Sequence, residues 1–168
     1  MISLVVVSHS LPLATAAKEL AMQMTVAASA PKVLVAAGIS DGEQVELGTD
    51  AQQISEAITA ADNPDGVLIL VDLGSALLSS QMALEFVDPD LADRCLISAG
   101  PLVEGLVAAV VSAAGGASLQ EVATQAQAAL AGKIDQLSDS QEPHPEDEGE
   151  FSENTAEAAS GCLLYTSD

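Results

Sequence analysis

Residues 65–75 read Asp65-Gly66-Val67-Leu68-Ile69-Leu70-Val71-Asp72-Leu73-Gly74-Ser75. Five aliphatic residues in a row, closed by Asp-Leu-Gly-Ser, are too short for a helix. They also lack the alternation of a half-exposed strand, so they read as a strand buried on both faces. Three more aliphatic runs, Leu4–Val7, Val33–Ala36 and Cys95–Ile97, have the same character. Between them lie segments with helical apolar spacing, at Ser10 to Met24, Asp50 to Ala61, Ser75 to Phe86 and Leu102 to Ala114. A last helix is expected from Ser118 to Leu130, where Ser118 and Glu121 form a capping-box pattern. Asp50 and Ser75 are natural N-caps, and Pro12 fits a first helical turn. Strand–helix alternation of this kind predicts an α/β fold: an open, mainly parallel sheet with helices on both faces.

Composition supports that fold class. Hydrophobic residues make up 49% of the 168 but aromatic ones only 2%, so the core has to be built from Ala, Val, Leu and Ile. The formal net charge is −21, and the only basic residues are Lys18, Lys32, Arg94 and Lys133. They are scattered, which excludes a phosphate-gripping nucleic-acid surface and a basic membrane-binding face. An acidic chain favours basic docking partners, and its charge also keeps it in solution.

No apolar stretch reaches the ~20 residues of a membrane helix. The run Ile2 to Val7 has no positive segment ahead of it, so no signal peptide is expected. The two cysteines, Cys95 and Cys162, make a poor disulfide framework, and a cytoplasmic location fits them. Residues 1–134 are expected to form one domain. Residues 135–168 are expected to be a disordered acidic tail or truncated linker, Pro- and Ser-bearing from Ser138 onward. The last residues, Gly161-Cys-Leu-Leu-Tyr-Thr-Ser-Asp168, depart from that composition and look like translated adapter sequence, so the natural chain is expected to be longer.

Ligand sites in open parallel sheets lie at the carboxyl ends of the strands. His9 follows the first strand, in Val7-Ser8-His9-Ser10, just ahead of a helix. Helix N-termini offer free N–H groups and a positive dipole end, and neutral imidazole is a nucleophile, so His9 is a candidate phosphoryl acceptor. Asp72 follows the third strand. If strands one and three are neighbours, its carboxylate can fix the His9 tautomer and leave the other ring nitrogen as nucleophile. Gly74 would admit an anion close to the backbone, and Ser75, Ser10 and Thr49 are candidate phosphate contacts. The plainer alternatives are a surface histidine in a turn, an Asp72–Ser75 pair that only caps a helix, and Thr49 as an ordinary loop residue. Glu104 reads as a first-turn acid, and His144, between two prolines, as inert.

The chain has no GxxxxGK[ST] loop, no GxGxxG after the first strand, no acidic pair there and no Cys/His metal spacing. No metal or cofactor is expected.

These residues carry a resemblance. Ser3-Leu-Val-Val-Val-Ser-His-Ser10 resembles the phosphohistidine segment of the mannose-type IIA family of the bacterial phosphotransferase system. Within that family, Asp65 to Glu85 and Gly100-Pro-Leu-Val-Glu-Gly105 are similar to the phosphotransferase subunits of PEP-dependent dihydroxyacetone kinases. The resemblance spans about residues 1–132. It implies that His9 accepts phosphate from an HPr-like phosphocarrier and passes it to ADP on a nucleotide-binding kinase subunit, which then phosphorylates dihydroxyacetone. It also implies a homodimer and a mainly parallel sheet with an added edge strand. A IIA component for sugar uptake and a regulatory phospho-switch are the alternatives.

Overall fold

The computed structural model describes residues 1–40, 42 and 44–139. In chain order they form β1 (Ser3–Ser8), α1 (Leu11–Met22), a 3₁₀ turn (Ala27–Ser29), β2 (Val33–Ala37), β3 (Ile39–Ser40), β4 (Val45–Glu46), α2 (Ala51–Ala60), β5 (Val67–Val71), α3 (Gly74–Leu84), α4 (Pro89–Ala92), β6 (Cys95–Ser98), α5 (Leu102–Ala114), α6 (Leu119–Ala128) and α7 (Ala131–Asp139). The four aliphatic runs are β1, β2, β5 and β6. They form one parallel sheet in the order β2-β1-β5-β6. The chain moves outward from β1 to β2, then returns to pair β5 on the other side of β1. The direction of winding therefore reverses between β1 and β5, and a crevice opens there at the carboxyl edge.

Alternation along the strands splits the core in two. Leu4, Val6, Leu68 and Leu70 face α1, α5 and α6, where they meet Ala14, Ala17, Leu106, Ala109, Val110, Val122 and Ala126. Val5, Val7, Val67 and Ile69 face α2 and α3, where they meet Ile54, Ile58, Ala76 and Ala83. Each large aliphatic side chain buried this way contributes roughly 1.5–3 kcal/mol. Alanines on the inner helix faces let the helices approach closely, which is how a core without aromatic residues is filled.

The sequence expectations need four corrections. Among the described residues the sheet has four strands and no added edge strand, and the one antiparallel pair is the short β3–β4 hairpin, outside the sheet. That hairpin was not expected, because two exposed residues per strand leave no periodicity. It starts from Gly38, whose φ of 73° suits glycine and where a Cβ would lie 2.3 Å from Val45 Cγ1. Ser75 is not an N-cap: α3 begins at Gly74, and its cap position, Leu73, supplies no side-chain acceptor. Finally, α7 takes in residues 135–139, where composition alone suggested tail. Leu130, Ile134 and Leu137 recur at i, i+4 and i+7, a helical stripe in otherwise polar sequence. The rest of the acidic stretch, His144, Cys162 and the closing residues lie outside the described residues.

Asp50 caps α2 by accepting from Gln52 N at 2.7 Å, and Glu121 accepts from Ser118 N at 2.9 Å. Cys95 is buried and free, and burial pushes its thiol up to about 11, far from reactive thiolate. None of the described helices is long and apolar enough to cross a membrane.

The Gly100–Gly105 block serves packing. A Cβ on Gly100 would sit 2.4 Å from the Ala126 carbonyl oxygen on α6, and one on Gly105 3.1 Å from the same atom. Gly100→Ala is therefore expected to lower the urea-unfolding free energy by about 1–3 kcal/mol, as overpacked sites do. An unchanged urea midpoint would contradict this contact.

Candidate phosphohistidine site

Parallel pairing sets β1 and β5 in register, with Val7 opposite Val71, so the next residues of each strand meet across the crevice. Asp72 N donates to Val7 O at 3.2 Å and continues the ladder by one bond. The Asp72 side chain then turns to β1. Its Oδ1 lies 3.0 Å from His9 Nδ1 and accepts from its own neighbour Leu73 N at 2.7 Å. Its Oδ2 accepts from His9 N at 2.8 Å and Ser8 Oγ at 2.9 Å.

Burial acts to raise the Asp72 pKa. The hydrogen bonds from the His9 N–H, the His9 ring, Ser8 and Leu73 outweigh it and hold the carboxyl below its ordinary value. Asp72 is therefore an ionised acceptor at neutral pH, and the nitrogen facing it has to be Nδ1–H. Nε2 keeps its lone pair, which accepts from Ser75 Oγ at 2.7 Å. The line Asp72–His9–Ser75 thus presents a nucleophilic nitrogen with a hydroxyl beside it.

The expected anion site at the start of α1 is largely occupied by its own cap. Pro12 has no N–H. Ser10 Oγ accepts from Leu13 N at 3.4 Å, and Ser10 N donates to Ser8 Oγ at 3.1 Å. Helix α3 is different. Without a side-chain cap, the N–H groups of Gly74 and Ser75 have no partner inside the helix, and they start it beside His9 Nε2. A Cβ on Gly74 would meet nothing within 4 Å, so the space over that end is open. A cleft of about 340 Å³ lies next to it, lined by Asp72, Leu73 and Gly74 on one side and by Ser98, Gly100 and Pro101 on the other.

Of the residues singled out in the sequence, the structure brings His9, Asp72, Gly74 and Ser75 together. Thr49 is in the neighbouring loop, which is tied to the site by Gly48 N donating to His9 O at 2.9 Å. Its hydroxyl, however, pairs with Ser79 Oγ at 2.8 Å. Glu104 stands in the first turn of α5 and bonds Lys133 Nζ. Ser8 was passed over. The only signal was a hydroxyl closing the aliphatic run Leu4–Val7 at the end of a fully buried strand.

The fold and the geometry converge with relatedness. A family model described as EIIA-man, the PTS system fructose IIA component, matches residues 3–123. The chain belongs to the EIIA-man family. Phosphoryl donor subunits DhaM of PEP-dependent dihydroxyacetone kinase are similar to it. The one from Escherichia coli (strain K12) is 47% identical over 137 residues, which is 82% of this chain and 29% of that protein. The one from Providencia stuartii is 44% identical over 139 residues, 83% of this chain and 29% of the relative. The chain therefore spans less than a third of the length of these relatives. A DhaM subunit of dihydroxyacetone kinase 2 from Listeria innocua is 36% identical over 111 residues, 66% of this chain and 85% of that protein. Among solved structures, the protein EF1359, described as of unknown function, superposes with a TM-score of 0.63 at 33% identity. That match covers 76% of this chain and 94% of that one.

The lowered Asp72 pKa gives this EIIA-man domain a signed pH dependence. The stabilisation from the ionised carboxylate is complete above the ordinary carboxyl value of about 3.9 and is lost as pH falls through the lower folded value. Unfolding free energies of wild type and Asp72→Asn are expected to differ at neutral pH and to converge in acid. A constant difference across that range would contradict the assignment.

Proposed function

We propose that this chain is the phosphoryl carrier of a PEP-dependent dihydroxyacetone kinase. In this reading His9 is the phosphoryl acceptor and Asp72 its orienting partner. The observation that supports it most is the Asp72–His9–Ser75 line, with His9 Nδ1 3.0 Å from the carboxylate and Nε2 2.7 Å from Ser75 Oγ beside an uncapped helix end. Similarity to the DhaM phosphoryl donor subunits supplies the pathway.

The steps are two displacements at phosphorus. The Ser75 hydroxyl swings off Nε2, and the Nε2 lone pair attacks the phosphoryl group of an HPr-like phosphohistidine. The donor N–P bond breaks, and its electron pair returns to the donor ring. The proton on His9 Nδ1 stays in place, facing Asp72, whose negative charge offsets the positive charge the ring acquires. The α3 N–H groups of Gly74 and Ser75, with the freed Ser75 hydroxyl, receive the phosphoryl oxygens. A terminal phosphate oxygen of ADP, held on a nucleotide-binding kinase subunit, then attacks. The Nε2–P electrons return to the His9 ring, and the ATP formed phosphorylates dihydroxyacetone. In this reading Thr49 and Ser10 are secondary phosphate contacts: Thr49 Oγ1 is paired with Ser79 Oγ, and Ser10 Oγ accepts from Leu13 N but keeps its own proton to donate.

The exchange requires protein partners to reach Nε2 over α3. The outer face of that helix exposes Leu78 and Met82, at 63% and 54%, and Phe86, just past its C-cap, is 57% exposed; together they offer an apolar surface suited to burial when a partner docks. The same reading has the carrier cytoplasmic and homodimeric. The description of the family as fructose IIA components favours a second reading, a IIA component that hands phosphate to a sugar-transport protein.

Purified chain mixed with PEP, enzyme I and HPr is expected to acquire an acid-labile phosphate that His9→Ala abolishes. Asp72→Asn is expected to slow its formation by about 10–100-fold, the range seen when the carboxylate behind a metal-binding histidine is lost. Gly74→Ala is expected to fold normally and label more slowly, since the added methyl enters only the open space over α3. With the ADP-loaded kinase subunit and dihydroxyacetone present, dihydroxyacetone phosphate is expected. Labelling without that product would move the assignment to sugar transport or a regulatory switch; no labelling from a competent donor would refute the carrier reading.

A further inference from the structure

Ser8 ends β1, is fully buried, and does three things with one hydroxyl. Its Oγ accepts from Ser10 N at 3.1 Å, stands 2.9 Å from Asp72 Oδ2, and lies 3.2 Å from Ser10 O. A hydroxyl has one proton to donate, and the nearer, ionised acceptor is Asp72. An ionised carboxylate has about four lone-pair sites. On Asp72 all four are used: Leu73 N and His9 Nδ1 on Oδ1, and His9 N and Ser8 Oγ on Oδ2.

Three of those donors belong to the backbone or to the histidine itself. Ser8 is the one replaceable side chain among them; it shares Oδ2 with His9 N and, with the backbone donors, helps fix how the carboxylate plane is turned about its Cβ–Cγ bond. That rotation decides whether Oδ1 faces Nδ1. We propose that Ser8 is a positioning residue: by locking the Asp72 carboxylate it keeps His9 in the Nδ1–H tautomer, with the lone pair on Nε2. The proposal rests on the carrier reading for its purpose, but not for its observable. Removing the hydroxyl leaves Oδ2 with one donor and an unfilled site in a part-buried place, so the carboxylate gains freedom to turn or to draw a proton. The ring is then released to exchange tautomers. The Ser8 hydroxyl makes no hydrogen bond to the His9 ring, and acts through Asp72.

The test uses the chain with ¹⁵N-labelled histidine. Two-bond nitrogen–proton correlation spectra report the His9 tautomer without any partner protein. Wild type is expected to show the Nδ1–H form almost alone. Ser8→Ala is expected to show a mixture of tautomers while keeping the native fold by circular dichroism. It should also slow His9 labelling by phosphoramidate, a small donor that needs no docking, by about 10-fold. Ser8→Thr, which retains the hydroxyl, is expected to restore both. An unchanged tautomer and labelling rate in a folded Ser8→Ala would overturn the proposal. Should Ser8→Ala not fold, the wild-type Ser8 hydroxyl proton still decides. Held on Asp72, it is expected as a resolved, slowly exchanging signal that shifts in Asp72→Asn, and its absence would overturn the proposal. If the tautomer responds to Ser8 but no phosphotransferase donor labels His9, the carrier reading fails and the positioning role stands.

Discussion

A single carboxylate ties the functional end of this molecule together. Asp72 leaves β5 at the point where the winding of the sheet reverses, and it accepts from the backbone and ring of His9, from Ser8 and from Leu73. Those bonds join the end of β1 to the end of β5 and aim one imidazole nitrogen outward. Burial alone acts to raise the pKa of a carboxyl group in that position. The donors reverse the balance and keep it charged, which is the condition for both the fixed tautomer and the compensation of charge on the ring. The rest of the fold serves to bring two strand ends into register. The aliphatic sheet is buried on both faces by helices lined with alanine, and it gives β1 and β5 no freedom to slip, because a shift of one residue would exchange the two cores.

The sheet and its main helices were legible because uninterrupted aliphatic runs between helical segments admit few arrangements. Val67–Val71 and Leu4–Val7 are strands in both the sequence and the structure. The site was legible in part. His9 and Asp72 each follow a strand, but only the strand order makes them neighbours, and periodicity does not encode strand order. Hydroxyl roles were harder to read, since a serine or threonine goes to whichever partner is nearest. Ser10 is turned to Leu13 N and Thr49 to Ser79, competitors that appear only when α1 and α3 are in place. Ser75 looked like a cap and instead reaches His9 from inside α3. Ser8 carried almost no signal, because a small residue closing a buried strand invites no notice. The β3–β4 hairpin escaped because two exposed residues per strand leave no patterning, and α7 because its apolar stripe runs into a stretch whose composition reads as tail.

The two helices that start at the crevice show how capping chooses a ligand site. Both could offer a positive end to an anion. Helix α1 begins with Ser10 and Pro12, which occupy or remove its early donors, whereas α3 begins at an uncapped Leu73-Gly74-Ser75 and keeps its donors available. A glycine with open space above it and a serine already in contact with the nucleophilic nitrogen complete that end. The proposed transfer of a phosphoryl group through His9 rests on this arrangement together with membership of the EIIA-man family.

The most direct test is to determine which nitrogen of His9 carries the phosphorus. Protein labelled with ¹⁵N in histidine would be phosphorylated from PEP through enzyme I and HPr, and the phosphorus–nitrogen coupling measured by NMR. Coupling to Nε2, with Nδ1 still protonated, is the predicted result. Phosphorus on Nδ1 would require Asp72 to be displaced and would contradict the account.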